Sequence, residues 1–141
     1  MIAFLLPETE PYSHFDGGAV ARWVHEVSAR STLAIQVCGR KGKANRPYKG
    51  GYLFSEFVAS ILASVNRAIL PQRDGLLWVT LFYLFCLRSH GHIIIENRPH
   101  YAIYLRKLGF QGKLHLHMHN DVFDVYSLEY LNKLETALDS I

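Results

Sequence analysis

No apolar run in this sequence is long enough to cross a bilayer. The longest, Leu76 to Leu87, holds twelve residues where a spanning helix needs roughly 20, and it reads as a buried helix. Cysteine is scarce: Cys38 and Cys86 lie far apart along the chain, each inside an apolar stretch. That spacing favours unpaired buried thiols in a reducing cytoplasm over a disulfide. A secretory signal is missing too. Met1 to Leu6 is apolar but has no basic residue ahead of it, and Pro7, Glu8 and Glu10 cut it short. Charge is modest, with a net value of +3 that does not by itself argue for nucleic acid. Internal repeats and low-complexity segments are absent. Neither a Ser-His-Asp nor a Cys-His arrangement can be read. The Gly-x-Gly-x-x-Gly fingerprint is missing as well, because Ala19, Val20 and Ala21 follow Gly17-Gly18. This argues against a nicotinamide or flavin enzyme.

What is present is the material of one folded domain: 141 residues, half of them hydrophobic and 19% charged. Ile2 to Leu6 is a short, wholly apolar run, as expected of a parallel strand buried on both faces. Asp16-Gly17-Gly18 then opens a helix with Val20, Trp23, Val24 and Val27 on one face. Leu33 to Val37 reads as a second strand ended by Gly39. Arg40 to Gly51 reads as a loop, and Leu53 to Leu70 as a helix stopped by Pro71. Asp74 is expected to cap a helix over Gly75 to Ser89. In that helix Phe82, Tyr83 and Phe85 read as core rather than membrane anchors. His92 to Glu96 is a strand, Asn97-Arg98-Pro99 a turn, and Tyr101 to Leu108 a helix closed by Gly109. Leu114 to Met118 is the last strand. Ser127 to Leu138 is a final helix with Leu128, Leu131, Leu134 and Leu138 on one stripe. Strands alternating with helices imply an α/β fold, a Rossmann-like parallel sheet flanked by helices. The usual doubly wound order sets the first strand beside the His92 strand, with ligands bound outside the carboxyl ends at that crevice.

Four features there can carry chemistry. Gly17-Gly18 at a helix start offers free N–H groups to an anion such as a diphosphate, and serves equally as a steric device for reversing the chain. Glu96, Asn97 and Arg98, with His100 close behind, put a carboxylate, an amide and a guanidinium at a strand end. They can fork onto sugar hydroxyls or a phosphate, or form a salt-bridged turn. His115, His117 and His119 alternate along one strand face. Successive side chains on such a face stand roughly 7 Å apart, which disfavours one ion shared by all three, so no metal is expected. His119 sits at the carboxyl end, where it can donate to a substrate. The fourth feature is the basic loop with Arg40, Lys41, Lys43, Arg46 and Lys49, read as solvated or as facing an anionic phospholipid surface or a lipid pyrophosphate. Tyr48 and Tyr52 beside it would suit an interface.

Three segments together resemble the start of glycosyltransferase family 4 enzymes, which have the GT-B fold. They are Phe15-Asp16-Gly17-Gly18-Ala19, His92-Ile93-Ile94-Ile95-Glu96-Asn97-Arg98-Pro99, and Met118-His119-Asn120-Asp121. Bacterial members that build surface polysaccharides are the most similar. The resemblance implies two Rossmann-like domains facing across a cleft, the first binding mainly the acceptor and the second the nucleotide sugar. Transfer would retain the anomeric configuration and need no catalytic metal or other cofactor. It implies that Gly17 and Gly18 lie near the donor diphosphate and that His119 approaches the transferred sugar. Glu96, Asn97, Arg98 and Asp121 would lie on the acceptor side.

The family's second domain carries a Glu-x7-Glu element that holds the donor, and these 141 residues do not supply it. The expectation is therefore a truncated acceptor-side domain with little or no transferase activity alone. Its partners would be a nucleotide sugar, a glycan or lipid-linked acceptor and a donor-binding domain, but not nucleic acid. It would work in the cytoplasm, touching the inner membrane face at most peripherally. The alternatives are a free-standing phosphate- or nucleotide-binding module and a histidine metal enzyme.

Overall fold

Short stretches in which apolar residues run together or alternate with polar ones make the strands of this protein. The computed structural model describes residues 1–43, 47–119 and 126–140. The elements are β1 (Ile2–Leu5), α1 (Ala19–Arg30), β2 (Ile35–Arg40), β3 (Gly51–Phe54), α2 (Glu56–Ile69), α3 (Leu76–Phe85), β4 (His92–Glu96), α4 (His100–Lys107), β5 (Lys113–His117) and α5 (Leu128–Ala137). A 3-10 turn over Leu87–Ser89 follows α3. All four strand pairings are parallel, in the order β3-β2-β1-β4-β5. This is the expected Rossmann-like α/β fold, with β1 beside β4 at the switch point. No helix among the described residues is long and apolar enough to cross a membrane.

The two faces of the sheet are covered unequally. Ala3, Leu5, Cys38, Ile93, Ile95, Leu114 and Leu116 pack under α2, α3, α4 and α5 in the larger core. Phe4, Leu6 and Val37 pack under α1, where Ala21 and Val24 are buried. Alternation along each strand produces this division. A single helix cannot roof five strands, so the α1 side stays partly open over β4 and β5: His92, Ile94, His115 and His117 are only half-buried there.

Several local expectations are corrected. Gly51–Phe54 is a strand, and the helix expected from Leu53 starts at Glu56, with Ser55 accepting from the Val58 N–H at 3.3 Å. The strand is only four residues long, and its Leu53 and Phe54 also fit the apolar pattern of the helix that follows. Strand β2 continues through Gly39 to Arg40. A Cβ at Gly39 would stand 3.1 Å from Leu6 Cδ1, so the glycine admits a close approach rather than ending the strand. Asp74 does not cap α3. Buried Asn66 of α2 does so, accepting from the Leu77 N–H at 3.1 Å while donating to Arg73 O at 2.9 Å. Leu128 and Phe85 are exposed, and Tyr48 is buried, its ring stacked on His25 at 3.9 Å. The two cysteines, distant in sequence, are free thiols with sulfurs 3.3 Å apart.

Arg106 ties the far end of the sheet together. Its guanidinium donates to the carbonyls of Ala137, Phe110 and Gly112 and to Asp139 Oδ2, which also accepts from the Leu114 N–H at 2.8 Å. One side chain thus fixes α4, the entry to β5 and the end of α5.

The turn into α3 depends on Gly75, whose φ is +68°. A Cβ there would enter the left-handed region and also stand 2.5 Å from the hydroxyl of fully buried Tyr101. Gly75→Ala is therefore expected to lower unfolding stability by about 2 kcal/mol. Urea denaturation followed by circular dichroism measures this, and a loss below about 0.5 kcal/mol would contradict the packing described.

Candidate functional site

The carboxyl edge of the sheet gathers the ends of β1, β4 and β5 with the loop that enters α1. Strand register decides what meets there. In the β4–β5 ladder Glu96 stands opposite His117. Glu96 Oε2 lies 2.9 Å from His117 Nδ1 and 3.5 Å from His119 Nε2. The Glu96 side chain is 0% exposed, against 37% for His117 and 31% for His119. Its second oxygen, Oε1, is buried without a hydrogen-bond partner among the described residues. Burial pushes the Glu96 carboxyl up to about 7, and His119 pulls it back down. A group expected to face an acceptor is thus enclosed beneath two imidazoles that reach the surface.

Asn97 follows in the left-handed region at φ +54°, a conformation asparagine tolerates better than most residues. There its N–H donates to His117 O at 2.9 Å, and its Oδ1 accepts from the His119 N–H at 2.9 Å. The turn after β4 and the end of β5 are therefore one hydrogen-bonded unit. Trp23 of α1 closes the side, stacked on the His117 ring at 4.2 Å and edge-on to His119 at 6.3 Å. His115 is held apart from this group: its Nε2 is 3.1 Å from His92 Nδ1, and its Nδ1 is 2.6 Å from Ser140 Oγ.

The α1 entry is built differently from a bare anion cradle. Gly17 is buried, and a Cβ there would stand 2.4 Å from Ser13 O, so the backbone needs glycine on steric grounds. Gly18 is exposed. Its N–H donates to Glu10 Oε1 at 2.8 Å, and the Ala21 N–H donates to the same oxygen at 3.1 Å. A side-chain carboxylate thus occupies the helix N-terminus, where the dipole favours negative charge. Beside it lies a cleft of about 410 Å³ lined by Thr9, Glu10, Asp16, Gly18, Arg40 and Lys43, among others. Arg40 is anchored in this wall, paired with Glu56 and donating to Thr9 O at 2.8 Å. Lys43 and Lys49 are exposed and Lys41 is half-buried. Arg46, Asn120 and Asp121 lie outside the described residues.

Arg98 turns inward, toward the loop after β1. It donates to Asn97 O at 3.2 Å and to Thr9 Oγ1 at 3.3 Å. Below it are Glu8, Asp74, Arg67 and half-buried His100, whose burial holds its imidazole below the ordinary value. Among the four features read from the sequence, the β4 turn and the end of β5 come into direct contact. Sequence reasoning missed Glu10 as a helix cap, Trp23 as a wall of the histidine cluster, and the Glu8–Asp74 pair. The short spacing from Glu10 to Gly18 was the one signal available for the cap. Comparison with known protein families, curated proteins and solved structures finds no match.

Burial, followed by the facing carboxylate of Asp74, pushes the Glu8 carboxyl up to about 7, against the pull of Arg98 and Arg67. The folded state therefore favours protonated Glu8. Its contribution to stability is full below the ordinary carboxyl value of about 4.3 and is lost as pH rises through 7. Glu8→Gln mimics the protonated form. It is expected to raise stability at pH 8 by about 1 kcal/mol, roughly 3 °C in Tm, with no gain at pH 4. Thermal melts at both pH values check this, and an equal gain at both would contradict it.

Proposed function

We propose that this chain is the acceptor-side domain of a retaining glycosyltransferase, forming the first half of a GT-B fold. The enzyme moves a sugar from a nucleotide-sugar donor to a lipid-linked or polysaccharide acceptor, and needs no cofactor for the step. The observation that carries the reading is the hydrogen bond from the His119 N–H to Asn97 Oδ1. It joins the two segments that the sequence resemblance associates with the acceptor and with the transferred sugar. They form one hydrogen-bonded element at the carboxyl edge of the sheet, beside the crevice between β1 and β4 where doubly wound sheets bind ligands.

In this reading the half-exposed His119 ring donates a hydrogen bond to a hydroxyl of the sugar in transit. Glu96 accepts nothing from the acceptor directly and orients the imidazoles from below. Asn97 sets the backbone of the site, and Arg98 supports it from inside. A donor diphosphate approaching Gly18 meets the Glu10 carboxylate first. It must displace that carboxylate from the two N–H groups or settle beside it against Arg40 and Lys43. A donor-binding second domain supplies the rest of the cleft. Exposed Lys43 and Lys49 give an anionic cytoplasmic membrane surface a peripheral contact.

The test uses the native protein purified from its source cells. It should run at about 40 kDa, the size of two such domains, and release nucleoside diphosphate from one member of a nucleotide-sugar panel when acceptor lipid is added. His119→Ala should lower that turnover about 100-fold while leaving the circular dichroism spectrum unchanged, the cost of removing one positioned donor. The 141 residues alone should transfer no sugar. A native protein of 16 kDa that releases no nucleoside diphosphate would end the reading.

A further inference from the structure

The histidine cluster has a second property that sugar transfer does not use. Among the described residues, Glu96, His117 and His119 bring three ligand atoms, one from each side chain, within 4.8 Å of one another. From this arrangement the geometry points to a binding site for one divalent transition-metal ion of the zinc class, held by Glu96, His117 and His119.

The donor set is one carboxylate oxygen and two imidazole nitrogens, the combination of an open, three-ligand zinc site. The distances suit it. A tetrahedral ion with ligands at about 2.0–2.1 Å separates neighbouring ligand atoms by about 3.3 Å. Glu96 Oε2 stands 2.9 Å from His117 Nδ1 and 3.5 Å from His119 Nε2, one a little inside that separation and one a little outside. The histidine pair, with its ligand atoms within 4.8 Å, has the longer way to close.

A second, independent observation concerns the carboxylate itself. Glu96 is wholly enclosed, and its Oε1 has no hydrogen-bond partner among the described residues. A buried carboxylate left half-satisfied is costly, and a cation facing it offsets that cost. The imidazoles are also held in place. Trp23 stacks on His117, and Asn97 fixes the backbone of His119. Both rings keep about a third of their surface exposed, so an ion can enter from solvent and retain water at its fourth position. The separation of roughly 7 Å expected between successive same-face side chains does not apply here. Strand β5 ends at His117, and the chain turns so that the two ring centroids come to 4.7 Å.

The site does not rest on the transferase reading, although the two share His119. A bound ion engages the His119 nitrogen and so competes with a sugar hydroxyl for it. Metal binding is therefore measured on the chain alone, with no donor or acceptor present.

The metal-free chain is titrated with Co2+ and then with Zn2+. Calorimetry reads stoichiometry, and visible absorption reads the cobalt coordination geometry. One equivalent should bind with a tetrahedral or five-coordinate cobalt spectrum, and zinc should displace it. His119→Ala, at an exposed ring, should weaken binding at least tenfold with the fold intact by circular dichroism. Glu96→Gln should do the same if it folds. His92→Ala, in the neighbouring histidine pair, should leave binding unchanged. Absence of stoichiometric binding by the folded chain would overturn the site. So would binding that survives His119→Ala unchanged, or that is lost with His92→Ala.

Discussion

A carboxylate buried at the end of a central strand must be satisfied by whatever surrounds it, and at Glu96 that requirement organises the carboxyl edge of the sheet. Strand β4 is paired on both sides up to Ile95, and Glu96 at its end pairs with His117 of β5. The carboxylate's partners come from β5 and the turn after it: His117 directly across the register and His119 two residues on. Asn97, held in the left-handed region just after the carboxylate, returns the favour by binding the His119 backbone. Remove the carboxylate, and the two imidazoles have no common point to face.

The unequal roofing of the sheet explains why this cluster reaches solvent. Four helices cover one face, and the side chains of β4 and β5 on that side are isoleucine and leucine. On the other face α1 is the one helix among the described residues, covering β1 and β2, and its Trp23 reaches His117 and His119. The same two strands present His92, His115, His117 and Glu96 there. Polar side chains lie where the helical layer runs out, and apolar ones where it is complete. The α1 entry follows the same economy. Its helix N-terminus, open to solvent, is capped by Glu10 from the preceding loop.

Much of this fold could be read from the chain because its signals are local. Four strands were visible as short apolar runs, and alternation with helices was enough to give the parallel order and the crevice between β1 and β4. Strand β3 is hard to read because it is only four residues long and its Leu53 and Phe54 also fit the apolar pattern of α2. The helix caps are illegible in the sequence for a different reason. Asn66 reaches Leu77 across a turn, and Glu10 reaches Gly18 and Ala21 across a loop, so neither stands beside the helix it caps. Cys38 and Cys86 meet only through packing of α3 on β2. The histidine row was recognised, but the two-residue period was carried one step past the end of β5. Glu96 was assigned to a ligand surface because its depth depends on a neighbouring strand. For Glu96 and the two cysteines the missing information was a distance between residues remote in sequence.

The central claim is that Glu96 gathers His117 and His119 through the β4–β5 register. Imidazole nitrogen NMR on the metal-free chain tests it most directly, using long-range proton–nitrogen correlation with and without Glu96→Gln. The account predicts that His117 Nδ1 and His119 Nε2, the nitrogens facing the carboxylate, shift on substitution, while the ring of His92 does not. Spectra in which His117 and His119 behave as freely solvated imidazoles, unchanged by Glu96→Gln in a folded chain, would contradict it.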